Sequence, residues 1–306
     1  MTGRLYIDDN DAYLQYGVYV VKGGWNELVA MPPLKSYDSN DWQEEDGIEA
    51  DLSAPVLNSR EVQLKVAVSG LDSRFFSLIE LLSDGAYHVF NCASIQRIYV
   101  LRLVSQTNFA TVKTLGTATL KLADDFPLLG YTYTAPSTTI AEVNDYTIDG
   151  VPFTAYGVRI LIGTLGEVLR TADVKTALLR NIVTLAGALY DIDSVVRYKS
   201  KDVKLYCLMR ADTLTELWRN YDALLYDITR PGEHTLWVNE VEEEFKFVYK
   251  SCQVTDFYPT DKIWLQFTLT VTFTCPTRIT DDDIVLATED GVIVSGEDGD
   301  NAINMN

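Results

Sequence analysis

The chain has 306 residues, 47% of them apolar; at about 150 residues per domain this allows two domains with a core each and excludes wholesale disorder. Lys and Arg number 25 against 44 Asp and Glu, a net charge of −19 with a sequence pI near 4.4, so the surface repels phosphate and modules that read nucleic-acid sequence are disfavoured. Two histidines, His88 and His234, and four cysteines, Cys92, Cys207, Cys252 and Cys275, leave little material for a metal centre or for histidine acid–base chemistry, and an enzyme is not expected.

The opening MTGRLYIDDNDAYLQYG holds no apolar core of signal-peptide length, and nowhere do eighteen uncharged apolar residues run together, so the expectation is a soluble, cytosolically made chain with no membrane span. Laid on itself with an offset of 140, YIDDNDAYLQYGVYVVKGG meets YTIDGVPFTAYGVRILIGT without a gap. Over residues 6–51 there are ten identities, among them Tyr6/Tyr146, Asp9/Asp149, Tyr16/Tyr156, Gly17/Gly157, Lys35/Lys175 and Gly47/Gly187; chance would give roughly three. This predicts two copies of one domain, at 1–130 and 145–280, with the Pro- and Ser/Thr-bearing segment 131–144 as linker and 281–306 as an acidic arm.

Next in chain order comes an acidic run, DSNDWQEEDGIEAD, with seven carboxylates in residues 38–51 and no basic residue. A cation site is considered there, but the ligand spacing of a twelve-residue calcium loop is absent, and a solvated loop is expected. The aligned stretch DVKTALLRN of the second copy has the composition of a short helix.

After one inserted residue the copies match again, SREVQLKVAV against SKDVKLYCLM. Val62, Leu64, Val66 and Val68, and likewise Val203, Leu205, Cys207 and Met209, alternate as in a half-buried strand. The period then changes: Phe75, Leu78, Ile79 and Leu82, and Leu214, Leu217, Trp218 and Tyr221, fall at i, i+3, i+4 and i+7, predicting one amphipathic helix per copy. The second of these starts behind a capping box, Thr213 and Glu216.

His88 and His234 follow these helices at nearly equivalent places, and without a repeated Ser, Cys or carboxylate partner in the sequence they are expected to be structural. In the late strands Val100/Val248 and Phe109/Phe257 align, and LQFTLTVTFT alternates Leu265, Phe267, Leu269, Val271 and Phe273 with Gln266 and threonines. Gly23-Gly24 and Gly163 are turn residues that open no phosphate-binding loop. The cysteines show no C-x-x-C spacing and are expected as reduced thiols, with Cys207 and Cys252 packed in strands. In the acidic arm, Glu-Asp-Gly at 289–291 and 297–299 between apolar pieces marks a hairpin or a loose arm that orders on a partner.

Trp218, Tyr221, Trp237, Phe267 and Phe273 occupy core-facing positions, so core packing is expected of them, with sugar stacking as the alternative. No catalytic, cofactor-binding or metal-binding residue is assigned, and no cofactor is called for.

These elements together are similar to the tail-tube-like domain of tailed-bacteriophage distal tail and baseplate proteins. The likeness rests on Tyr16-Gly17-Val18 and Tyr156-Gly157-Val158 in the N-terminal strand pairs, the connection DGIEADLS, the strand REVQLKVAVSG, the single helix and the long late strands. It implies a mainly β (α+β) fold of two tandem antiparallel β-sandwich or open-barrel domains of tail-tube type, each with one packed helix. It also implies a virion structural protein, made in the host bacterial cytoplasm. Such a protein assembles as a homo-oligomeric ring, a hexamer or a trimer with pseudo-six-fold symmetry, docks other tail and baseplate proteins, and lets double-stranded DNA pass without specific binding. The alternative from another class is a tandem β-sandwich carbohydrate-binding or adhesive protein.

Overall fold

In the computed structural model the described residues are 1–276 apart from 70–72, 113–114, 129, 176–178, 181–183, 185, 188 and 191–194. In chain order the N-terminal half runs β1 (Tyr6–Ile7), β2 (Asn10–Asp11), α1 (Ala12–Tyr16), β3 (Val18–Val20), α2 (Asn26–Val29), β4 (Ser39–Asn40), β5 (Glu49–Ala50), β6 (Arg60–Ser69), α3 (Ser73–Leu82), β7 (His88–Cys92), β8 (Arg97–Val112) and β9 (Leu115–Asp124). The C-terminal half runs β10 (Tyr146–Ile148), β11 (Val151–Pro152), a 3-10 turn (Phe153–Tyr156), β12 (Val158–Ile160), α4 (Thr164–Leu169), β13 (Leu179–Arg180), β14 (Leu189–Tyr190), β15 (Lys201–Ala211), α5 (Leu214–Ile228), β16 (His234–Val238), β17 (Glu243–Tyr258) and β18 (Ile263–Phe273).

The fold is mainly β (α+β). One seven-stranded antiparallel sheet has the order β2-β1-β7-β8-β9-β6-β3, and a second has β11-β10-β16-β17-β18-β15-β12, the same order element for element. Even the irregularities coincide. The long pair β8–β9 shifts register between Leu103/Ser105 and Thr107/Ala110, and β17–β18 between Tyr249/Ser251 and Val254/Asp256. Bulges bend a strand and re-aim its edge, so matched bulges give the sheets matched curvature.

The predicted central strands are β6 and β15. Val62, Leu64, Val66 and Val68 are buried while Glu61, Gln63 and Lys65 are exposed, as side-chain alternation on a pleated strand requires. Helix α5 starts where the capping box places it: the Thr213 hydroxyl accepts from the Glu216 N–H at 3.1 Å, and the Glu216 carboxylate accepts from the Asp212 N–H at 3.0 Å.

Three sequence expectations need correction. First, the gap-free offset of 140 fails in the first hairpin. Ile7 pairs with Phe90 and Ile148 with Leu236, so Asp8, not Asp9, is the counterpart of Asp149. Both occupy the left-handed region, at φ 47° and φ 49°. The extra residue is absorbed because α1 has five residues and the 3-10 turn four. Second, Val100/Val248 and Phe109/Phe257 are two residues out of register, since His88 faces Leu101 and His234 faces Phe247. A two-residue slip leaves every side chain on its own face, which is why the pattern tolerates it. Third, the predicted helix DVKTALLRN contains strand β13, paired with β14; its residues 176–178 and 181 lie outside the described residues. The acidic arm 281–306 also lies outside them.

Candidate functional site

The two halves meet through one extended contact that combines hydrogen bonds, ion pairs and buried apolar side chains. Its first part is α5. Leu217, Tyr221, Leu224 and Ile228 are buried, but so are Trp218, Asn220, Ala223 and Leu225 around the circumference, and a helix buried all round has something on both sides. One side is its own sheet, where Tyr221 meets Phe267 edge-on with centroids 5.5 Å apart. The other side is the N-terminal half: the Trp218 indole donates to the Ile95 carbonyl at 2.5 Å, and the Tyr221 hydroxyl donates to the Val29 carbonyl at 3.0 Å. Arg97 lies over the Trp218 ring at 4.3 Å and bonds Asp222 at 2.5 Å. Burial pushes the Asp222 carboxyl up, and Arg97 beside it holds that rise back.

The acidic run forms the second part, and it is not simply solvated. β4 and β5 pair as a short hairpin, and the connection lies across the C-terminal half. The Lys175 ammonium, only 4% exposed, donates to the carbonyls of Trp42 at 2.6 Å and Gly47 at 2.8 Å and pairs with Asp41 at 2.5 Å. Asp46 accepts from the Tyr198 N–H at 2.7 Å and faces Arg197 at 3.5 Å. Gly47, at φ 73°, donates its N–H to the Tyr198 carbonyl, and a Cβ there would overlap the Thr274 carbonyl. The carboxylates are therefore partly spent on a clasp between the halves; Glu44 and Glu45 remain exposed.

In the third part, the tip of the β17–β18 hairpin reaches the N-terminal half. Pro259 and Thr260 line a cleft of about 330 Å³ together with Leu5, Tyr13, Val18 and Trp25, and the Asn26 side chain donates to the Thr255 carbonyl at 2.9 Å. Beside it the Leu34 N–H donates to the Lys250 carbonyl at 3.1 Å, where β17 bulges, and the Tyr249 hydroxyl donates to the Pro32 carbonyl at 3.0 Å. Residues 131–144 have no strand or helix, yet they strap α5: Asn220 exchanges bonds with the backbone of Ser137 at 2.9 and 3.0 Å.

His88 and His234 sit away from this contact and do the same local job. Each ring Nδ1 is 2.6–2.7 Å from a turn carboxylate, Asp8 or Asp149, whose other oxygen accepts the backbone N–H of Val89 or Thr235. Burial works to lower the His88 pKa, but its bonds to Asp8 and Asp84 outweigh that and hold it above the ordinary value. Such a pair pins the turn between β1 and β2, and between β10 and β11, against the neighbouring strand; the partner carboxylates lie 80 and 85 residues away in the chain and carry no local signal.

Burial raises the thiols of Cys92 and Cys207, and that of Cys252 to about 11, which suppresses the reactive thiolate. Of the aromatics weighed as sugar platforms, Trp218, Tyr221, Phe267 and Phe273 are buried and Trp237 half-buried. Gly23 and Gly163 have positive φ, as turn residues do. Among the described residues no three of His, Cys, Asp and Glu gather as a metal would need, and no helix is long and apolar enough to cross a membrane.

No protein-family model matches the chain, and no curated protein matches it. Among solved structures it is similar to the SPP1 Dit (gp 19.1) protein, described as a paradigm of the hub adsorption apparatus in phages infecting Gram-positive bacteria. The identity is 13% over 88% of this chain and 98% of that one, with a TM-score of 0.29. That degree of likeness is too loose to assign a role.

Proposed function

We propose that the protein is a structural component of a phage or prophage tail, a distal tail, baseplate or hub ring subunit built from one duplicated domain. One observation carries this reading: two sheets of identical strand order, with bulges at the same places, meet through different surfaces. The N-terminal half offers α2, Ile95, Arg97 and a cleft; the C-terminal half offers the outer side of α5 and a hairpin tip. Equivalent bricks joined by unlike surfaces form a heterologous contact, and repetition of such a contact closes a ring when the rotation permits. Three two-domain chains would make a pseudo-six-fold annulus, and six would make a double count of it.

A channel through that annulus would pass double-stranded DNA. With a net charge of −19 and carboxylates outnumbering cations on a channel face of the same composition, the duplex would slide rather than bind. Other tail proteins would dock on its faces, and the place of action would be the virion. The sequence resemblance to tail-tube-like domains supports the same reading.

Size-exclusion chromatography with light scattering, followed by negative-stain electron microscopy, tests it. Annular particles of three or six chains are expected. A particle that stays monomeric at about 100 μM, where any contact with a Kd of roughly 10 μM or tighter is largely formed, and joins no purified tail component would overturn it.

A further inference from the structure

The contact between the halves uses one face of each, which leaves the second face of each unused, and residues at equivalent positions on the two halves differ in exposure accordingly. Leu28 and Val168 correspond and are both buried in their own cores; the next pair, Val29 and Leu169, diverges to 3% and 48% exposed, because Val29 is covered by α5. Leu34 lies against Lys250 and is half-buried, whereas its counterpart Val174 is 51% exposed. The correspondence of these two is fixed by their bridges, Leu34 to Leu57 and Val174 to Tyr198. Lys175 is buried under the clasp, whereas Lys35 is exposed.

The cleft is repeated too. The C-terminal half has one of about 320 Å³ lined by Phe153, Val158, Ile160 and Leu165, counterparts of the Tyr13, Val18, Val20 and Trp25 that line the first, with the fully exposed Ile162 at its rim. The first cleft holds Pro259 and Thr260 against its wall; the second has no described hairpin residue on it. Conversely, the N-terminal half carries the counterpart of that hairpin, β8–β9, whose connecting residues 113–114 lie outside the described residues; beside them Leu115 is exposed, and further along is the bulge at Val104. It also carries α3, aligned with the end of α5 by the equivalent bonds Ser83 to Ile79 and Thr229 to Leu225; its outer side exposes Phe76 at the place where α5 presents Asp222 to Arg97.

From this we infer that the cleft of the C-terminal half, with Leu169 and Val174 beside it, receives the β8–β9 hairpin and the outer side of α3 from a second copy of this chain. The contact inside the chain is the template. The bulge at Val104 offers its carbonyl to the Val174 N–H as that at Lys250 does to Leu34. The Arg97–Asp222 ion pair is not repeated, since Glu243 and Phe76 hold the corresponding positions, so an aromatic ring replaces a carboxylate at the helix side of the contact between chains. Burial of Phe76, Leu115, Ile162 and Leu169 supplies its driving force, as aromatic and aliphatic anchors at the centre of an interface do.

This surface assignment rests on the ring reading above, and two complementary double variants separate the two. One, Ile162→Glu with Leu169→Glu, disables the cleft; the other, Phe76→Glu with Leu115→Glu, disables the hairpin and helix side. All four side chains are exposed in the single chain, so monomer folding is expected to be retained, checked by circular dichroism. In sedimentation velocity over a concentration series, the unmodified chain is expected to assemble. Each variant alone should need more than about 100-fold higher concentration. An equimolar mixture, which has one intact cleft and one intact hairpin side, should stop at a dimer. Rings formed by both variants as readily as by the unmodified chain would overturn this surface and leave the ring reading standing. Dimers of either variant alone would show a self-complementary contact and overturn the surface. A monomeric unmodified chain would overturn the ring reading together with it.

Discussion

At the scale of single residues, the basic position at the start of β6 and β15 shows how chemistry is repeated while identity changes. Arg60 donates to the carbonyls of Leu28 and Ala30 and pairs with Asp124. Lys201 donates to the carbonyls of Val168 and Arg170. Both tie off the last turn of a short helix, whose terminal carbonyls need donors. Burial, with Arg170 nearby, lowers the Lys201 pKa to about 8. The histidines offer a direct test. With a folded pKa above the unfolded value of about 6.5, His88 stabilises the fold fully below that pH, and the contribution is lost as pH rises through the folded pKa. His88→Gln is therefore expected to lower the melting temperature more at about pH 5.5 than at about pH 8.5; an equal loss at both would mean that the ring is held by packing alone.

Among the elements, the two helices have one sequence pattern and two fates. α3 buries Phe75, Leu78 and Leu82 against its own sheet and leaves Phe76 exposed, whereas α5 is enclosed. The apolar stripe was legible in both. That α5 is covered twice was hinted at by Leu225 and Ile228 extending its apolar surface, but its partners Ile95 and Arg97 lie more than a hundred residues away and carry no local signal. The acidic loop behaves similarly: its charge reads as solvation, and only the folded chain brings Lys175 to it. Gly47 and Gly187 test the clasp, since both have positive φ, 73° and 94°, but only Gly47 has a backbone pressed against it; no described atom lies within 4 Å of the place for a Gly187 Cβ. Gly187→Ala is expected to cost about 1–2 kcal/mol of backbone strain, and Gly47→Ala clearly more, because the Thr274 carbonyl must move. Urea denaturation of the two variants measures this, and equal losses would mean that the clasp yields freely.

Taken whole, the molecule has one apolar core that includes residues of both sheets, Val29 and Met31 with Trp218, Tyr221 and Tyr249 among them. Large side chains buried at the junction each contribute about 1.5–3 kcal/mol, a coupling large enough to make the halves unfold together. Calorimetry is expected to show a single transition with equal calorimetric and van't Hoff enthalpies; two resolved transitions would mean that the junction is an ordinary domain contact rather than a continuation of the core.

The amino-acid sequence by itself determined the β character and the two-fold recurrence of strand, helix and strand, because side-chain period is a local property. Registers within that recurrence were legible only to within one or two residues, since a slip of two preserves every face and a single extra residue hides inside a helical turn. Which surfaces join the halves, and which are left for another chain, was decided by the tertiary structure alone. Equivalent residues such as Val29 and Leu169 differ in nothing that hydropathy records; what separates them is whether α5 lies on top, and that is a contact between residues 192 apart in the chain.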